Sequence, residues 1–144
     1  DRVGYLQEKE MNSGLDKIST YTDFAQQVHR TKRSLLRFLI TAKNEEKNVA
    51  GYGAAAKGNT LLNYCGIRED FLDYVVDRSP HKQGKYLPGS HIPVFSPQHI
   101  SETRPDYLLI LPWNLREEIM EQMRYIREWG GKFVVPIPEV QVFE

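Results

Sequence analysis

The sequence holds one cysteine, Cys65, in 144 residues. A lone thiol forms no internal disulfide and cannot build a cysteine-based zinc site. Charge of either sign in excess is also missing, because 19 Lys and Arg balance 19 Asp and Glu. That argues against a protein that holds nucleic acid or another polyanion by bulk positive charge. The longest apolar runs, residues 49–56 and 107–113, fall far short of the ~20 residues that cross a bilayer. The opening residues, Asp1, Arg2, Val3 and Gly4, carry no apolar signal core. What remains is 40% hydrophobic and 26% charged, ordinary for a globular chain that buries roughly two-thirds of its unfolded surface. The expectation is a soluble, cytoplasmic α/β domain with neither a nucleic-acid nor a membrane partner.

Residues 1–20 mix charges without a clear period and are expected to be a linker or partly ordered arm, with the domain proper over 21–144. The chain opens without Met, which suggests a piece of something longer. A long helix is expected next, with Thr22 as its cap and Asp23 in its first turn. Phe24, Val28, Thr31, Leu35, Leu39 and Ala42 share one helical face, while His29, Arg30, Lys32, Arg33 and Arg37 occupy the rest. From residue 48 strands alternate with helices. Strands are expected at 48–52, 73–77, 92–95, 107–111 and 133–137, helices at 55–64 and from Leu115 to Gly130, and a helical turn at 97–101. Such alternation predicts a mostly parallel sheet of about five strands, covered on both faces and preceded by a long helix.

The most informative segment follows the first strand. Gly51, Gly53 and Ala56 satisfy G-x-G-x-x-[GA] between a strand and a helix. In that pattern Gly51 permits the turn, Gly53 lets a ligand approach the backbone, and Ala56 lets the helix pack closely. The free N–H groups of the helix start favour an anion, and Lys57 adds a positive charge. Asp77 ends the second strand, where an acid can accept hydrogen bonds from a ribose. Taken alone, these residues suggest NAD. The same turn can also serve only to pack helix on strand.

The loop after the second strand adds Lys82 and Lys85 for phosphate, and His81, Gln83 and Tyr86 for a sugar or base. At the end of the fourth strand, Trp113 can stack on a base or sugar and Asn114 can cap the next helix. His29, His91 and His99 lack metal spacing and are expected to be structural or surface residues, and Cys65, with no neighbouring base, is expected to be a buried structural thiol. No catalytic triad, paired-carboxylate motif or metal site stands out.

Four blocks carry a resemblance. They are the run from Gly51-Tyr52-Gly53-Ala54-Ala55-Ala56-Lys57-Gly58 to Asn63, the run from Asp77-Arg78-Ser79-Pro80-His81-Lys82-Gln83-Gly84 to Gly89, then Leu111-Pro112-Trp113-Asn114, and Gly130-Gly131-Lys132-Phe133. In that order, over about residues 20–140, they resemble the C-terminal domain of sugar C-methyltransferases. The resemblance implies a Rossmann-like three-layer domain. It also implies a larger enzyme in which a zinc-binding module and an S-adenosylmethionine (SAM)-binding module precede this domain. The whole would methylate a carbon of a nucleoside-diphosphate keto-deoxysugar, commonly dTDP-linked. This domain would hold the nucleotide sugar against the SAM module, binding neither zinc nor SAM and supplying no catalytic residue. The substrate-binding residues expected on that basis are Gly51, Tyr52, Gly53, Ala54, Lys57, Asp77, Lys82, Gln83, Trp113 and Asn114. Two alternatives stay open. One is the NAD(P)-binding part of an oxidoreductase. The other is a structural docking module, which a closed turn with side chains filling the space beyond Gly53 would favour.

Overall fold

The computed structural model describes all 144 residues, which form two compact units, Asp1–Arg30 and Thr31–Glu144. The first unit is helical. Helix α1 (Arg2–Asn12) starts at Asp1, whose carboxylate accepts the Val3 N–H at 3.0 Å. Helix α2 (Ile18–Asn44) begins four residues before the expected cap. The Thr22 hydroxyl therefore caps nothing and donates back to the Ile18 carbonyl. In the turn between the helices the Thr20 hydroxyl donates to Gly14 O at 2.6 Å, and the Tyr21 hydroxyl donates to Leu15 O at 2.7 Å. Residues 2–12 are thus a helix where the sequence predicts an arm. No α1 side chain is buried, so the helix has no apolar stripe to read.

In the second unit the sheet order is β3-β2-β1-β4-β5-β6, with β1 (Val49–Tyr52), β2 (Val75–Val76), β3 (Val94–Phe95), β4 (Tyr107–Ile110) and β5 (Lys132–Val135) all parallel. The five expected strands are present, each shorter than its apolar run. A sixth, β6 (Gln141–Phe143), pairs antiparallel with β5 at the edge and was not expected. It is three residues long and largely solvent-facing, so it shows no alternating pattern.

Alternation along the strands splits the core in two. Val49, Leu109, Leu111 and Val134 meet Leu35 and Leu39 of α2 and Leu61 and Leu62 of α3 (Ala56–Cys65). Ala50, Tyr52, Leu108, Ile110, Phe133 and Val135 meet Ile100 of α4 (Gln98–Thr103) and Ile119 of α5 (Arg116–Gln122). The result is a three-layer α/β sandwich. Leu35, Leu39 and Ala42 of the expected helical face are buried, whereas Phe24 is 68% exposed. The helix expected from Leu115 onward is divided into a 3-10 turn, α5 and a second 3-10 stretch, Arg124–Trp129, which ends at Gly130 with φ 79°. Helix α3 ends as expected, with Gly66 left-handed.

From β1 the chain runs through α3 to β2 and β3 on one side, then returns through α4 to β4 on the other side of β1. The carboxyl ends of β1 and β4 therefore diverge at a topological switch point, where open α/β sheets place their ligands. No helix is long and apolar enough to cross a membrane.

Candidate ligand-binding edge of the sheet

The glycine-rich turn lies at the switch point, and its interior is filled. Gly53 has φ +95°, and a Cβ there would sit 2.6 Å from the Pro112 ring at the end of β4. So Gly53 makes the turn and receives Pro112, where the motif predicts close approach of a ligand. Gly51, expected to make the turn, lies inside β1, and a Cβ on it would meet Val75 at 2.8 Å. Close helix-on-sheet packing falls to Gly58, which abuts Leu111 where a Cβ would stand at 2.6 Å, and not to the exposed Ala56.

Asp77 is likewise committed within the protein. One carboxylate oxygen accepts Ala54 N–H at 2.8 Å and Lys82 Nζ at 3.2 Å, and the other accepts Ser79 N–H at 2.8 Å. Its side chain is only 13% exposed. The carboxylate thus stands at the approach to α3, the place the motif offers to a phosphate. Gln83 donates from Nε2 to the Asp77 carbonyl at 2.9 Å, fastening the loop to the end of β2. Lys57 donates to Asn114 Oδ1 and places its ammonium 5.0 Å from the Trp113 ring centre, a cation–π contact. Asn114 therefore binds Lys57 and does not cap α5, which has no side-chain cap.

The expected site residues thus form two knots. Ala54, Asp77, Lys82 and Gln83 make one, around the Asp77 carboxylate. Lys57, Trp113 and Asn114 make the other, beside a smaller hollow of about 490 Å³ that Glu117 and Glu118 also line.

Open space lies one strand over. A cleft of about 940 Å³ sits across the carboxyl ends of β1, β2 and β3, bounded by α4, α5 and the following 3-10 stretch. Tyr52 and Gln83, both expected site residues, line it together with Arg78, Ser96, Gln98 and Gln122. Tyr125 closes one wall, its hydroxyl donating to Pro97 O at 3.4 Å. The Tyr52 hydroxyl donates to Gln122 Oε1 at 3.2 Å. Burial raises its pKa above the usual phenol range, and the Arg78 charge opposes that rise. No carboxylate lines the cleft, and Arg78 takes part in no ion pair.

Sequence reasoning passed over Arg78, although it stands inside the second block and next to Asp77. Position was the available signal, since Arg78 is the first residue past the carboxylate that ends β2. Gln98, Gln122 and Tyr125 gave no local signal, because only the fold brings them to one cleft.

Of the groups expected to be structural or on the surface, His99 and Cys65 are packed, and His29 and His91 are exposed. His99 pairs with Glu102 at 2.8 Å and packs its ring on Tyr74 and Phe95. Cys65 is buried, and burial pushes its thiol pKa up, away from the reactive thiolate.

Comparison with known proteins gives the family. The model of the C-methyltransferase C-terminal domain matches residues 1–138. The C-methyltransferase NovU of Streptomyces niveus is 38% identical over 140 residues, covering 97% of this chain and 33% of that protein. The chain thus spans about a third of this relative's length. Among solved structures, UDP-D-quinovosamine 4-dehydrogenase from Vibrio fischeri is similar at a TM-score of 0.48 and 16% identity, covering 68% of this chain and 93% of that one. The order of the four blocks, the three-layer fold and a match over nearly the whole length agree: the chain belongs to the C-methyltransferase C-terminal domain family.

Proposed function

We propose that this chain is the nucleotide-sugar-holding part of a SAM-dependent C-methyltransferase that acts on a nucleoside-diphosphate keto-deoxysugar. The observation that carries this reading is the polar, carboxylate-free cleft at the carboxyl edge of the sheet, beside the switch point. A sugar presents hydroxyls that Gln83, Ser96 and Gln98 can pair, and a diphosphate presents charge that Arg78 can meet. Of the expected site residues, Tyr52 and Gln83 touch the ligand in this reading. Gly51, Gly53, Ala54, Asp77 and Lys82 hold the edge in shape, and Lys57, Trp113 and Asn114 flank it. The role is positioning: fixing the sugar raises its effective concentration at the methyl donor.

SAM and zinc belong, in this reading, to the remainder of the longer protein. The donors in this chain do not suit zinc, because one buried thiol is the sole cysteine and no three His, Cys, Asp or Glu side chains converge. A SAM or NAD adenosine does not suit the turn either, since Pro112 covers Gly53 and Asp77 is already engaged. Methyl transfer and the acid–base chemistry are assigned elsewhere, and this chain alone transfers no methyl group. A free Cys65 and a nucleoside-diphosphate ligand both suit the cytoplasm.

The closed turn favours a second reading, a docking module that binds no small molecule. Calorimetric titration of the 144-residue chain with dTDP-glucose, NADH and SAM separates the possibilities. Binding of dTDP-glucose with neither NADH nor SAM is expected. Tight NADH binding would replace this function with the oxidoreductase reading, and no binding by any of the three would leave the docking module.

A further inference from the structure

We propose that the phosphoryl groups of the ligand bind at Arg78 in the cleft over β1, β2 and β3, and not at the glycine-rich turn and Lys57. This rests on the nucleotide-sugar reading of the same edge, and it assigns the anion subsite to a residue outside the expected set.

Three observations point the same way. First, the protein's own Asp77 carboxylate accepts the Ala54 N–H just ahead of α3 and so stands beside the helix start. A diphosphate there would face a fixed negative charge. Second, Lys57 is engaged with Asn114 and Trp113, and the neighbouring hollow carries Glu117 and Glu118 against Arg116, one negative charge in excess. Third, the cleft beside Asp77 has the opposite balance, with Arg78 as its single charged lining residue. A guanidinium presents five N–H donors in a planar fork that matches two phosphate oxygens, and charge-assisted bonds of this kind are about twice as strong as neutral ones.

The rest of the lining suits what a phosphoryl group would carry with it. Ser96, Gln98 and Ser101 supply side-chain donors and acceptors, and Tyr125 stands along one wall. At about 940 Å³ the space lies at the upper end of ordinary ligand sites, large enough for a nucleoside diphosphate with its sugar. The Lys82–Asp77 pair, at 3.2 Å, offsets part of the Asp77 charge next to Arg78.

The test is calorimetry on the intact 144-residue chain with inorganic pyrophosphate, dTDP and thymidine as probes. Pyrophosphate and dTDP are expected to bind, dTDP more tightly, and thymidine far more weakly than dTDP. Arg78→Gln is expected to weaken both phosphorylated probes at least about tenfold, Arg78→Lys to keep part of that affinity, and Lys57→Ala to stay within about twofold. Thermal midpoints equal to that of the parent chain confirm that the variants fold. A tenfold loss in Lys57→Ala with Arg78→Gln unchanged would place the anion at the turn, overturning this inference and keeping the nucleotide-sugar reading. Pyrophosphate binding that depends on Arg78, with dTDP no tighter, would keep the phosphoryl site and overturn the nucleotide. Absence of binding by both phosphorylated probes would overturn both.

Discussion

The turn at the β1–β4 switch point and the cleft over β1, β2 and β3 lie on the same edge of one sheet, and they look opposite from sequence and from structure. The turn has the strongest motif in the chain, yet its groups are consumed internally: Pro112 covers Gly53, and Asp77 takes Ala54, Ser79 and Lys82. The cleft has no motif, yet it has the open volume and, as its single charged lining residue, the unpaired Arg78. A G-x-G-x-x-A pattern reports that backbone must turn and pack closely. It does not report what packs there. In this protein the close partner is a proline ring of the neighbouring strand end, and the open cleft lies one strand outward.

That difference can be broken by mutation. The largest effect is expected at Gly53→Ala, which combines a φ of +95° with a Cβ 2.6 Å from Pro112. Strain and overpacking together predict a loss of about 3 kcal/mol, measured by urea unfolding. Destabilisation under about 0.5 kcal/mol would mean the turn is loose and open to a ligand. Next is Asp77→Ala, which leaves Ala54 N–H and Ser79 N–H without their acceptor. A loss of about 2 kcal/mol is expected, in contrast to Arg78→Gln, whose stability should match the parent chain. Equal losses at the two neighbours would erase the distinction between an architectural acid and a ligand-facing base.

A third effect is a control at the amino end of β2. Burial pushes the Tyr74 pKa up to about 12, with the Thr103 hydrogen bond opposing, against 10.0 for a free phenol. A raised folded-state pKa means the unfolded chain loses this proton first. Tyr74 therefore costs no stability below pH 10.0, and its contribution is lost as pH rises toward about 12. The slope from this one group approaches about 1.4 kcal/mol per pH unit within that window. Tyr74→Phe should flatten that part of the stability curve without altering dTDP affinity. An unchanged slope would mean the hydroxyl is solvated. The smallest effect is Gln98→Ala in the cleft, expected within about 0.5 kcal/mol of the parent in stability while weakening dTDP-glucose a few-fold.

Much of this was legible in the sequence because local signals and tertiary packing agree. Val49, Leu109 and Val134 are fully buried in largely apolar strands, and Gly66 and Gly130 stop helical segments where they were expected to. What escaped had no local signature. Helix α1 buries nothing, and β6 is short and exposed. The site divides the same way. Tyr52 and Gln83, both expected from the sequence, line the cleft because they stand at a strand end and in the loop beyond one. Asp77 was found and given a ribose, since sequence shows the carboxylate but not the three donors that already surround it. Beyond its position, Arg78 gave no local signal, because standing unpaired in an open cleft is a property that only the folded chain defines.

The central claim is that the ligand sits in the cleft while the turn stays closed. The most direct measurement is an amide and arginine side-chain NMR titration of the 144-residue chain with dTDP. The account predicts the largest shifts at Arg78 Nε–H, Ser96, Gln98 and Gln83, with Gly53, Ala54 and Lys57 moving little. Largest shifts at Gly53, Ala54 and Lys57 with Arg78 still would contradict it.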